Sequence, residues 1–84
     1  MIMLEITPEQ ILDPSRQYHL QNILQEQGGD KNQRKVPVVA IIHHGEQRQF
    51  IRLGKKYWVK DETTAINCLM RSGFNARTEP LIPV

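Results

Sequence analysis

Residues 36–42 read Val-Pro-Val-Val-Ala-Ile-Ile, and no other stretch restricts the fold as much. A short apolar run of this kind, rich in β-branched side chains, favours a strand. Successive side chains of a strand point to opposite faces, so both faces of this one need cover. The chain has 84 residues, enough for one domain that buries about 60–65% of its unfolded surface. Cover for the second face must then come from a helix, from a second subunit, or from a topology other than the simplest one.

The remaining elements follow from periodicity and punctuation. Ile2, Leu4 and Ile6 alternate with Met1, Met3 and Glu5, a period of two that predicts a half-buried strand. Thr7-Pro8-Glu9-Gln10 has the form of a capping box with proline at the first helical position. Pro14 interrupts that helix and Asp13 can cap a second one, so one turn over 8–12 and a helix over 14–27 are expected. Leu20, Ile23 and Leu24 give the longer helix a narrow apolar stripe, and Gly28-Gly29 ends it. Residues 28–35 form a polar loop. After the apolar run, Gly45-Glu46 marks a turn, and residues 48–60 follow as Arg-Gln-Phe-Ile-Arg-Leu-Gly-Lys-Lys-Tyr-Trp-Val-Lys. Asp61 caps a helix over 62–72, with Ala65, Ile66, Leu69 and Met70 on one face. Gly73 ends it, and Phe74 packs back against it. Residues 77–82 form a weak strand that Pro80 confines to an edge.

The resulting order is β-α-β-β-α-β. It predicts a two-layer α+β domain of ferredoxin-like type over residues 1–84, an antiparallel sheet packed by two helices. A variant of this arrangement splits the second β unit into a hairpin at Gly54. In the ferredoxin-like type the second and last strands lie at the two edges, where Pro37 and Pro80 are tolerable. The doubly apolar run at 36–42 conflicts with an edge position that has one open face.

Charge is distributed unevenly along the chain. Residues 1–30 set Arg16 against Glu5, Glu9, Asp13, Glu26 and Asp30, a balance of −4. Residues 31–60 set Lys31, Arg34, Lys35, Arg48, Arg52, Lys55, Lys56 and Lys60 against Glu46 alone, a balance of +7. Such a surplus attracts anionic partners to whatever surface the middle third builds.

The pattern within residues 48–60 sharpens that expectation. Even positions are Arg48, Phe50, Arg52, Gly54, Lys56, Trp58 and Lys60, and odd positions are mostly apolar. In one continuous strand the even set forms a basic, aromatic face with Phe50 and Trp58 about 27 Å apart. A three-residue hairpin loop at 53–55 keeps the partition and brings the two rings to about 5 Å. A two-residue loop at 54–55 mixes the faces. Aromatic rings on a sheet can stack unpaired bases while Lys and Arg neutralise phosphates; a basic ribbon can also lie in a DNA major groove. The opposing possibility is that Phe50 and Trp58 are core or protein-interface residues.

The sequence holds little that resembles chemistry. His43 and His44 are adjacent in a strand and point apart, and with His19 and Cys68 they make no metal-ligand spacing. Cys68 is the only cysteine, which excludes an internal disulfide and fits a reducing compartment. Asp61 and Glu62 suit helix capping better than acid–base work. No phosphate-binding glycine loop, nucleophile elbow or membrane-length apolar run is present, and Met1-Ile-Met-Leu-Glu, without a basic region or a long apolar stretch, is not expected to act as a signal sequence.

The expectation is a small cytoplasmic binding protein without enzymatic activity, cofactor or metal. It would contact nucleic acid through Arg34, Lys35, Arg48, Phe50, Arg52, Lys56, Trp58 and Lys60. The alternative is a protein-interaction module (a homodimer, inhibitor or adaptor) using that face together with the apolar strand 36–42.

Overall fold

The computed structural model describes residues 1–80. Along it run β1 (Ile2–Ile6), α1 (Pro8–Leu12), α2 (Pro14–Gly28), a 3₁₀ turn (Lys31–Gln33) and β2 (Val38–His44). Then come β3 (Gln47–Arg52), a second 3₁₀ turn (Lys55–Tyr57), α3 (Glu62–Arg71) and β4 (Asn75–Thr78). Local chemistry accounts for the helix boundaries. Thr7 Oγ1 accepts from the Gln10 amide and Gln10 Oε1 accepts from the Thr7 amide, the reciprocal capping box of α1. Asp13 Oδ1 accepts from the Ser15 amide to start α2, and Asp61 Oδ1 accepts from the Thr63 amide to start α3. Gly73 at φ 88° closes α3 and lets the Phe74 amide reach the Leu69 carbonyl.

The four strands form a mixed sheet in the order β3-β2-β1-β4. β1 and β2 are parallel because two helices lie between them, while β2–β3 and β1–β4 are antiparallel. This corrects three sequence expectations. The sheet is not purely antiparallel, and its strand order is not that of the ferredoxin-like type. Three helices accompany it where two were expected to pack the sheet, because the turn expected over 8–12 forms α1. β2 lies inside the sheet, between β1 and β3, and β3 takes the edge where β2 was expected. As an internal strand β2 has side chains of β1 and β3 on its two flanks. Val39 and Ile41 are buried between Met3 and Arg52 and between Glu5 and Phe50 without a helix over them, which eases the conflict raised by residues 36–42. Pro37 stands just before β2, and its carbonyl accepts from the Ile2 amide. β4 does occupy an edge, although Pro80, from which the edge was expected, lies beyond the strand. It starts at Asn75, earlier than expected, and Leu81 and Ile82 of the expected strand lie outside the described residues.

The hairpin also falls elsewhere than at Gly54. β2 and β3 are joined by Gly45 and Glu46, with Gly45 at φ 60°, the glycine-first pattern of a type II′ turn. Beyond Arg52 the chain leaves the sheet.

The helices cover one face. Ile23 and Leu24 of α2, Ala65 and Leu69 of α3, and Val59 and Phe74 close over Ile2, Leu4, Val38 and Ala76. Met70, expected on the inner face of α3, is 57% exposed instead. The thinnest extent of the molecule is 20 Å, the depth of one sheet and one helical layer packed about 10 Å apart. A smaller cluster of Met3, Val39 and Ile41, with Met1 against it, lies on the opposite, helix-free face.

Candidate functional site

The pairing register draws the helix-free face directly. One row across the sheet runs Arg52, Val39, Met3, Arg77, the next runs Phe50, Ile41, Glu5, Asn75, and Arg48 pairs with His43 beyond them. Its middle is apolar and closed, with Ile41 fully buried and Met3 and Val39 nearly so. Its β3 side is aromatic and basic. Phe50 is 57% exposed, and the Arg48 guanidinium carbon lies 5.9 Å from its ring centroid. Arg48 and Arg52 are exposed and form no salt bridge with any described residue.

Its β4 side is neutralised. The Glu5 carboxylate accepts from Asn75 Nδ2 at 2.8 Å and lies 3.2 Å from Arg77 Nη1 and 3.5 Å from His43 Nε2. The hydrogen bond from Arg77 is the main reason the Glu5 carboxyl titrates below its ordinary range. Arg77 also meets Glu79 Oε1 at 3.0 Å. Among the described residues, positive charge without a counter-charge on this face is therefore confined to β3.

The strand edge adds a second property. The Leu53 amide donates to the Val38 carbonyl, so the hydrogen-bonded pairs of the β2–β3 ladder are 53/38, 51/40, 49/42 and 47/44. Residues 48, 50 and 52 then turn their backbone groups outward to the open edge. The side chains that form the basic, aromatic row belong to those same residues.

Three of the eight expected site residues, Arg48, Phe50 and Arg52, thus lie in one row. The even-position partition stops at Arg52. The Trp58 indole Nε1 donates to the Leu53 carbonyl at 3.2 Å, and residues 55–57 form a 3₁₀ turn, so neither a hairpin nor a continuous strand carries Phe50 toward Trp58. Trp58 is half-buried and borders a cavity at the end of the sheet together with Met1, Pro37, Val39 and Arg52. It therefore sits beside the last residue of the basic row, not across from Phe50.

The other four expected residues gather at that same end of the sheet. Val36 and Val59 exchange backbone hydrogen bonds of 2.9 and 3.1 Å, bringing the segments before β2 and after the second 3₁₀ turn together. Arg34 and Lys56 line one cavity of about 310 Å³, with Lys31, Asn32 and Lys55. Lys35 and Lys60 line a neighbouring one with Asp61. Lys31, Lys55 and the Arg77–Glu5 pair were not singled out from sequence. Their charges were visible, but the pairing that groups them joins residues far apart in the chain.

Among the described residues no cluster of three or more His, Cys, Asp or Glu side chains is present, and Cys68 is half-buried on α3. No helix among them is long and apolar enough to cross a membrane. Comparisons with protein families, with curated proteins and with solved structures find no match for this chain.

Proposed function

We propose that this domain binds single-stranded nucleic acid along β3 and the basic end of the sheet, as a binding protein and not as an enzyme. Phe50 is the observation that carries the reading. A phenylalanine more than half exposed costs apolar surface, and here it stands between two arginines that have no counter-charge among the described residues. Arg48 and Arg52 would hold successive phosphates while an unpaired base stacks on the ring, a contact worth about 1–3 kcal/mol. Arg34, Lys35, Lys56 and Lys60 would extend the anionic track beyond Arg52, past Trp58.

The alternative of a protein interface drew its motive from the doubly apolar strand. That motive is weakened, since Val38, Val39, Ala40 and Ile41 are already buried within the chain. A second copy pairing antiparallel about Phe50 would also set Arg48 against Arg52 of its partner, and like charges directly opposite destabilise a strand pair.

Trp58 is the only tryptophan, and it reports on the end of the track. Quenching of its emission by short oligonucleotides is expected, with log affinity falling by about 0.7 per neutralised phosphate for each decade of salt. Replacing Arg52 by Gln should lower that slope by about one such step. Emission that ignores oligonucleotides, or affinity insensitive to salt, overturns the proposal. A dimer mass in light scattering that the single variant R48E strengthens, by setting Glu against Arg52 of the partner, would point to the protein interface instead.

A further inference from the structure

The cavity between the two 3₁₀ turns holds a concentration of charge that the face on β3 does not explain. Lys31 and Asn32 come from the first turn, Lys55 and Lys56 from the second, and Arg34 from the segment that follows the first. No carboxylate of the described residues lines it. Asp30 precedes Lys31 but is not among the lining residues, and Asp61 borders the neighbouring cavity with Lys35 and Lys60. Four cations facing one space repel one another, and that repulsion is relieved only by an anion of matching charge or by solvent.

Arg34 and the backbone of the two turns are held in place, while Lys31, Lys55 and Lys56 are exposed. Arg34 Nη1 donates to the Lys56 carbonyl at 3.0 Å, tying one turn to the other across 22 residues. The Arg34 side chain lies against Gly28, where a methyl group would come within 3.0 Å of Nε and 3.3 Å of Cγ. The second turn is closed by the Tyr57 amide on the Gly54 carbonyl and the Trp58 amide on the Lys55 carbonyl. Lys56 Nζ rests 5.0 Å from the Tyr57 ring centroid. The volume of about 310 Å³ is at the lower end of small-ligand sites.

We infer that this cavity is a phosphate-binding site matched to a phosphomonoester dianion, with Lys31, Arg34, Lys55 and Lys56 supplying charge and Asn32 a side-chain amide donor. A monoester carries close to two charges at neutral pH and a diester one, so each of the four cations gains about twice as much from the monoester. Two sources offer that group: the phosphorylated end of a nucleic-acid strand lying on β3, and a free small phosphate. The strand-end source rests on the nucleic-acid reading above; the cavity itself does not.

Inorganic phosphate is the first probe, followed in the amide NMR spectrum of the intact protein. Phosphate should shift the amides of residues 31–34 and 55–58, and the double variant K31Q/K55Q, both of whose positions are exposed, should weaken binding about tenfold or more. End-phosphorylated oligonucleotides should bind several-fold tighter than unphosphorylated ones, with the difference lost in the same variant. If phosphate shifts none of those amides, or if K31Q/K55Q binds it as the parent does, the cavity is not a phosphate site. Oligonucleotide binding that needs Phe50 but ignores both phosphate probes would remove the cavity and leave the β3 reading standing. Phosphate binding without oligonucleotide binding would do the reverse and assign the cavity to a free small phosphate.

Discussion

Gly28, the last residue of α2, is where the helical layer meets both turns that build the basic end of the sheet. A Cβ at this position would lie 2.9 Å from the Trp58 carbonyl oxygen and 3.0 Å from Arg34 Nε. The first neighbour is backbone, held by the Val36–Val59 bridge on one side and the Lys60 amide on the Gln27 carbonyl on the other, so it cannot step aside cheaply. Forcing one extra carbon into a packed site of this kind costs about 1–3 kcal/mol. Against that, alanine gains about 0.5–1 kcal/mol over glycine in a helix. The expected net loss for Gly28→Ala is about 1–2 kcal/mol, or a fall in Tm of roughly 5–15 °C for a domain of this size. Gly54 supplies the control. Its φ is −62° and no atom of the described residues lies within 4 Å of a Cβ there, so Gly54→Ala should be neutral or stabilising by about 0.4–1 kcal/mol. Urea unfolding followed by circular dichroism, with Trp58 emission as a second probe, measures both. A Gly28→Ala protein as stable as its parent, with unchanged Trp58 emission, would refute the reasoning, because helix propensity would then have outweighed the close approach.

Further outcomes can be measured in the same way. Gly45→Ala places a side chain at φ 60° and should lose about 1–2 kcal/mol with an unchanged urea m-value. Phe50→Leu keeps an apolar side chain beside Ile41 and should change stability by less than about 1 kcal/mol, yet oligonucleotide affinity should fall about 5- to 100-fold as the flat ring is lost. Glu5 titrates below its ordinary 4.5, chiefly through the Arg77 hydrogen bond. The folded state therefore binds its proton less readily than the unfolded chain. Stability from this group is fully present above pH 4.5 and disappears as the pH falls through the lower folded value. Urea midpoints from pH 6 to pH 3 should fall more steeply for the parent than for Glu5→Gln. Asp61, lowered mainly by the Thr64 hydroxyl, adds a slope of the same sign to both proteins. Leu69→Ala, at a fully buried position, should cost about 2–5 kcal/mol, measurable as a drop in the urea midpoint.

Much of this architecture was legible because the relevant physics is local. Thr7 with Gln10, Asp13 with Pro14 and Asp61 with Gly73 mark helix ends through hydrogen bonds that close within a few residues. The apolar run at 36–42 announced a strand covered on both faces. It could not announce that β2 sits inside the sheet, since that depends on β1 pairing with it in parallel some 36 residues away. The even positions 48, 50 and 52 share a face, as alternation requires. The partition fails at Leu53 because the chain turns there, its carbonyl taking the Trp58 indole and the second 3₁₀ turn following. A long-range bridge from Val59 to Val36 then fixes Lys56 and Lys60 away from the β3 row. Gly54 looked like a hairpin centre, but it adopts a conformation open to any residue, while the hairpin needed Gly45. The last strand does lie at an edge, but it ends at Thr78, so Pro80 is not what confines it there. Met70 fits the helical stripe in sequence and is exposed because α3 is covered only along its Ala65–Leu69 side.

Two of the three groups that hold the Glu5 carboxylate, Asn75 and Arg77, ride on β4, an edge strand of only four residues. Strands this short at an edge can detach by local opening far below the free energy of global unfolding. Detachment would carry Arg77 away and leave Glu5 facing the sheet with His43 alone, so the sign of the potential at the centre of the face depends on whether β4 is closed. A polyanion on the β3 side favours the closed form, since only there is Glu5 neutralised, and a ligand shifts an equilibrium toward the state it binds better. Occupancy at one edge of the sheet should therefore slow amide exchange at the other, without the ligand reaching it.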